Sequence, residues 1–388
     1  MEMVMRSGKL MSQKAPRLPF DRSLIFACML LLLISIVLIS SASVQEAYTS
    51  TGDQYFYLKR QVIFCGVGLV WFFLMVTIPS ATWFNLSWYL MAVVGVLLIV
   101  VLLVGREIND AKRWLDLGPV NLQPAEFLKL FWILFFSRYT CRQIVKVRYQ
   151  IRGFLIPMGM MTVVGTLLLL QPDFGSTVVI AAITMGILFV GGAGIIKYLC
   201  AALCLALAGG LLILVQPYRV SRVLSFLDPW QDRFDTGYQL TNSLMAFGQG
   251  GFWGEGLGHS VHKLGYLPEA HTDFVMAIMG EEFGFFGVSC VIFIEFFIVV
   301  KAVLIALRIL RQRSQYQGYV AFGVAVMLCV QTVINIGAAS GALPTKGLTL
   351  PFISYGGSSL VVCMWALALL VRIDYEWRSH KLGNLKYS

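Results

Sequence analysis

The sequence predicts an all-α polytopic membrane protein of about ten transmembrane helices, with both termini cytoplasmic and one large extracytoplasmic loop. Three observations carry this. Of 388 residues, 58% are hydrophobic and only 13% are charged, with a mean hydropathy of +0.77. A soluble chain of this size cannot hide that much apolar surface. Apolar runs close to membrane-spanning length recur from end to end. Basic residues gather in particular connections and are sparse in others.

The predicted spans are 22–43, 58–78, 84–105, 126–140, 153–170, 175–192, 198–215, 274–300, 318–340 and 356–372. They form one membrane domain, 22–372, between a cytoplasmic N-terminal tail, 1–21, and a cytoplasmic C-terminal tail, 373–388. The first run ends in Ser40-Ser41-Ala42-Ser43, a loose match to a signal-peptidase site. It is longer than a signal-peptide core and more spans follow, so it reads as an uncleaved first helix.

Orientation follows from charge. Nineteen of the thirty Lys and Arg fall in the N-terminal tail and first helix start, the 138–152 connection, Lys197, the 301–316 connection and the C-terminal tail. By the positive-inside rule this face is cytoplasmic. Only Glu2, Asp21, Asp374 and Glu376 of the twenty acids share it, so acidic chemistry faces outward. The net charge of +10 then reflects orientation and anionic headgroups, not a nucleic-acid partner. The eight cysteines lie in apolar runs or a cytoplasmic connection, which argues against a disulfide framework. Cys200 and Cys204 have i,i+4 spacing, but their helix offers no further metal ligand.

Four outward segments carry the chemistry-bearing residues. The first runs from Tyr266 through Pro268, Glu269, His271 and Asp273 into an apolar helix. A carboxylate at a helix mouth in a membrane is costly and needs a reason. N-terminal capping is the ordinary one; chemistry is the other. Helical period places Asp273, Ala277, Gly280, Glu281 and Gly284 on one face, where small residues permit close packing or leave room for a ligand. Glu281 and Glu282 are equally readable as interhelical hydrogen-bonding groups. The second segment holds Arg113, then Gln123-Pro124-Ala125-Glu126 and Lys129; Pro124 suits a first helical turn and Glu126 can pair with Lys129 at i,i+3. The third is the Gln171-Pro172-Asp173 turn, where an Asp is ordinarily structural. The fourth, 344–359, is dense in Pro, Gly and Ser, as a re-entrant segment would be, and contains Lys346. Carboxylates with Arg113, Lys129 and Lys346 suit an anionic, phosphate-bearing substrate at the outer membrane surface. His259 and His262 stand at i,i+3, but their flanking glycines suggest a surface turn over a metal site. The glycine-rich stretch 248–258 lacks the strand context of a nucleotide site, and no redox cofactor is expected. The long outer loop, about 217–273, reads as ordered and close to the membrane surface.

These blocks resemble the SEDS (shape, elongation, division and sporulation) family over nearly the full chain. The blocks are Ala111-Lys112-Arg113-Trp114 with Gln123 to Lys129, Gln171 to Gly175, Leu267 to Phe274 with Gly280-Glu281-Glu282, and Gly347 to Ser359. Pro344-Thr345-Lys346-Gly347 looks more like the division branch than the elongation branch. The resemblance implies a peptidoglycan glycosyltransferase that polymerises lipid II at the outer face of the bacterial cytoplasmic membrane, at the division septum. It implies a class B penicillin-binding protein transpeptidase and other divisome membrane proteins as partners. Asp273 matches the family's essential Asp; Arg113, Glu126, Lys129 and Asp173 match its other functional positions. Glu269, His271 and Lys346 join them as expected substrate contacts, and a divalent cation, Mg or Mn, is a candidate cofactor. A lipid II flippase using the same carboxylates as proton relays is the rival from another class. A structural scaffold for division proteins is a third reading.

Overall fold

A computed structural model describes residues 20–386, apart from 109–110, 117, 119–120, 215–219, 222–224, 313 and 345–346. The chain begins with α1 (Arg22–Ala42), α2 (Val44–Thr51), α3 (Phe56–Thr77) and α4 (Ser80–Val104). Asp21 starts α1 by accepting a hydrogen bond from the Ser23 amide at 3.0 Å. Pro79 separates α3 from α4, since it cannot continue a helix. A small antiparallel sheet follows, β1 (Arg106–Ile108), β2 (Ala111–Asp116) and β3 (Asn121–Leu122), in order β1-β2-β3. Then come α5 (Pro124–Arg142), α6 (Ile144–Tyr149), α7 (Ile151–Leu170), α8 (Phe174–Val190) and α9 (Ile195–Leu214). The last helices are α10 (Tyr238–Gly250), α11 (Val275–Leu310), α12 (Gln315–Ala339) and α13 (Gly357–Lys386).

A helix occupies each of the ten predicted spans. Among the described residues, α1, α3, α4, α7, α11, α12 and Gly357–Ser379 of α13 are long and apolar enough to cross a membrane. Phe174–Val190 and Ile195–Leu211 are apolar but shorter. The chain is thus a multi-pass helical membrane protein. Burial separates an inner set from an outer one. The apolar windows of α12 and α13 are 61% and 78% buried, against 28% and 22% for α3 and α4. α5 is buried around most of its circumference, including Glu126 and Lys129, so it needs no lipid-facing stripe.

Two expectations are corrected. α11 is not one regular helix beginning at Asp273. It starts at Val275 and breaks at Gly284, whose φ of 66° and ψ of −166° are non-helical. Asp273 therefore lies outside the helix and does not share a helical face with Gly280 and Gly284. The physical reason is close backbone packing. A Cβ on Gly284 would sit 2.4 Å from Gly254 N, and one on Gly254 would sit 2.2 Å from Glu282 O. Glu255 N and Gly256 N donate to Glu281 O and Glu282 O, and Phe285 N and Phe286 N donate to Gly251 O and Phe252 O. The small residues serve a close approach of the outer loop to α11, and leave no room there for a ligand. Gly284→Val should therefore fail to reach native thermal stability in detergent, because it joins a clash to a left-handed φ that β-branched residues avoid.

Glu281 and Glu282 hold the same loop. Glu281 accepts hydrogen bonds from Ser260 Oγ, from Val261 N at 2.8 Å and from His262 Nδ1 at 3.1 Å. Glu282 accepts from Ser41 Oγ at 2.6 Å and Lys263 Nζ at 2.8 Å. Both carboxylates are buried and each finds donors, although Glu282 Oε2 has none. His262 is committed to Glu281.

The 347–356 segment is irregular backbone inside the bundle, as its composition predicts. Leu348, Leu350, Phe352 and Ile353 are buried. Ser35, seven residues before the end of α1, donates to Ile353 O at 2.7 Å, so the segment reaches about 10 Å below that end of α1. Such backbone survives in a membrane only when protein satisfies it.

Candidate active site

One end of the bundle gathers the predicted cytoplasmic charges. Lys301 lies 2.9 Å from Asp21, and Arg148 donates to Gly191 O at the far end of α8. The other end gathers the outward motifs. α8 begins there with Asp173, and α11 begins there just after Asp273.

Gly347 marks where the motifs meet. A Cβ built on it would lie 3.1 Å from Asp273 Oδ2 and 4.0 Å from Arg113 Nη1. A carboxylate and a guanidinium from distant parts of the chain thus face one point of backbone. Arg113 is held from behind: its Nε donates to Gln171 O at 3.1 Å and its Nη2 donates to Pro172 O. The Gln171 side chain is tied in turn to Leu98 O at 3.0 Å. Asp173 caps α8, its Oδ1 accepting from Ser176 N at 3.0 Å. A Cβ on Gly175 would meet the Leu348 side chain at 2.8 Å, so the Gln171-to-Gly175 turn packs against the Gly347 segment.

Asp273 does not cap α11. The N-cap residue is Phe274, whose side chain makes no cap bond. Instead Glu269, at φ 56°, turns the chain so that its carbonyl accepts from the amides of Thr272, Asp273 and Phe274. Its carboxylate accepts from Thr272 Oγ1 at 2.6 Å. Glu269 therefore shapes the turn that delivers Asp273. His271 is buried, its ring 4.4 Å from Tyr57 and 5.4 Å from Tyr355, and its carbonyl accepts from Tyr355 N at 3.0 Å.

Glu126 and Lys129 form the expected i,i+3 pair at 2.7 Å, with side chains 5% and 0% exposed. They lie within α5, and no described contact joins them to Asp273. The neighbouring Gln123 amide bonds Ser358 Oγ at 3.1 Å and so fastens the start of α5 to α13. Lys346 lies outside the described residues. Among the described residues, no three His, Cys, Asp or Glu side chains stand close enough to hold a metal ion, so the donor set does not fit a metal held by the chain alone.

Sequence reading missed two contributors. Glu46, on the short α2, places Oε2 3.0 Å from His271 Nδ1, at an angle off the line of a hydrogen bond. Nothing in the polar segment after the first span singled it out. Asn335 is a buried amide within α12 that touches Asp273's backbone. A polar residue inside a membrane helix is a functional candidate by default, so this signal was present.

Two outcomes are expected here. The His271 ring holds the Glu46 carboxyl below its ordinary value of 4.5, with partial burial opposing. A depressed carboxyl contributes stability above its unfolded pKa and loses it as pH falls through the folded value. The thermal midpoint difference between wild type and Glu46→Gln should thus be largest near neutral pH and shrink below about pH 4.5. The second concerns Gly347→Ala. The added methyl crowds Asp273 Oδ2, so activity that depends on Asp273 should fall while the thermal midpoint stays close to wild type.

Fold and site together define an integral membrane protein in which one end of the bundle holds a half-buried carboxylate beside a fixed arginine, walled by irregular backbone. The chain belongs to the SEDS family: residues 22–379 match the FtsW, RodA and SpoVE model, described as cell cycle protein. It is 47% identical to a probable peptidoglycan glycosyltransferase FtsW of Tolumonas auensis, over 92% of this chain and 93% of that one. It is 45% identical to the protein of that name from Aeromonas salmonicida, over 92% and 91%. A solved structure described as a peptidoglycan synthase complex coordinating polymerization and crosslinking contains a chain similar to it, with TM-score 0.76 and 30% identity over 92% and 98%. The crystal structure of the rod shape determining protein RodA of Thermus thermophilus aligns with TM-score 0.68 and 28% identity over 92% and 97%.

Proposed function

We infer that this chain is a peptidoglycan glycosyltransferase that polymerises lipid II at the outer face of the cytoplasmic membrane during septal wall synthesis. The observation that carries the reading is the meeting of Asp273 and Arg113 at Gly347. Relatives sharing nearly half its residues over most of its length bear the names peptidoglycan glycosyltransferase and FtsW.

The reaction is an inverting transfer. The acceptor sugar's hydroxyl oxygen attacks the anomeric carbon of the donor. Asp273 takes that hydroxyl's proton, and the bond from the anomeric carbon to the lipid pyrophosphate breaks. A general base must stand within hydrogen-bond reach of the proton it removes. Arg113, fixed by two backbone carbonyls before substrate arrives, offsets charge growing on the leaving pyrophosphate. Lys346 is assigned the same task from its sequence position. A divalent ion would need pyrophosphate oxygens among its ligands. Glu269 and His271 shape the turn and its wall; Glu126, Lys129 and Asp173 support the elements around it. An amphiphilic donor requires the site to open sideways to lipid. The partner is a class B penicillin-binding protein that crosslinks the product, with other divisome membrane proteins around it. Lipid II polymerisation by the purified chain, with and without that partner, tests the reading; labelled lipid II crossing liposomes without glycan product would favour a flippase instead.

A further inference from the structure

We infer that Asn335 is a positioning residue for the glycosyl transfer, fixing Asp273 against the Gly347 segment from within the membrane helix α12. The inference rests on the reading of Asp273 as the base.

Asn335 is 1% exposed. Its single amide nitrogen donates to Asp273 O at 3.1 Å and to Leu348 O at 2.7 Å. An Asn side-chain nitrogen has two hydrogens, and both are used. The orientation of the amide is forced, because each partner is a carbonyl oxygen that can only accept. One side chain thus bridges the residue carrying the carboxylate and the residue after Gly347. Tyr355 N also bonds His271 O between these two segments, two residues from Asp273. The Asn335 bridge is nearer to the chemistry, and it ties both segments to α12. The Asp273 carboxylate lies 3.1 Å from where a Cβ of Gly347 would stand, so a small shift of either segment changes where that carboxylate points. Burial makes the bridge exclusive. Losing the donors takes a hydrogen bond from each of two carbonyls beside a buried side chain, which is costly.

The test uses the full chain with its class B partner and lipid II as substrate. Asn335→Leu keeps the approximate shape and removes both donors; Asn335→Asp is isosteric and sets oxygen against both carbonyls. The expected result for folded protein is a kcat lower by about 10²-fold, the loss that a misplacement of about 1 Å produces. KM for lipid II should stay within about threefold, and the acid limb of the kcat–pH profile should move. Thermal midpoints give the folded fraction for each variant. A kcat within threefold of wild type in either folded variant overturns the inference. So does a kcat that falls only with the folded fraction while the pH profile stays in place, which is what a merely structural amide would give. Asp273→Ala is run beside them: if it polymerises normally, the base assignment fails, whatever Asn335 does.

Discussion

Asp273→Asn lowers glycan polymerisation by about 10² to 10⁴-fold, the range a positioned general base contributes. The change is nearly isosteric and removes the proton acceptor. Phe274, not Asp273, stands at the N-cap position of α11, so the substitution leaves the N-cap residue unchanged. The turn itself is made by backbone amides bonding to Glu269 O, which the substitution leaves alone. Thermal stability in detergent should therefore stay near wild type, and lipid II consumption should fall. A loss of rate matched by a loss of fold would point to a structural carboxylate instead.

Lys129→Ala carries the largest expected loss of stability. The Glu126–Lys129 pair is buried inside α5, and Glu126 Oε2 already has no hydrogen-bond partner. Removing the lysine strands a carboxylate among packed helices. Breaking a buried pair from one side costs about 3–5 kcal/mol. Replacing both with apolar residues of similar volume, Glu126→Leu with Lys129→Met, should recover most of that loss, because the same physics makes a buried pair worth little over good packing. Thermal midpoints of the single and double variants read this directly. Polymerisation by the stable double variant then separates packing from substrate contact: full activity assigns the pair to the scaffold, and lost activity assigns it to the site.

Much of this was legible in the sequence because membranes impose simple rules. Hydropathy placed a helix in each of its predicted spans, including α5, whose ion pair and Pro124 start were both read from spacing. The Pro- and Gly-rich 344–359 block announced irregular backbone, and its 347–356 stretch is irregular, with Leu348, Leu350, Phe352 and Ile353 buried. Periodicity failed at Asp273 and Gly284, because it assumes an unbroken helix. Gly284 leaves helical geometry to admit a second backbone, and the partner, Gly254, lies thirty residues away. The same limit hid the donors of Glu281 and Glu282: both carboxylates were visible, but Ser41, Ser260 and Lys263 are partners only in three dimensions. Glu46 was illegible for that reason too. Asn335 could have been found, since an amide in an apolar helix already demands an explanation.

The central claim is that Asp273 acts as a base for sugar transfer at the outer membrane surface. Lipid II polymerisation by the purified chain and its class B partner, followed as glycan length on a gel, tests it most directly. Wild type should build long glycan and Asp273→Asn, equally folded, should leave lipid II unpolymerised. Glycan of normal length and rate from Asp273→Asn would contradict the account.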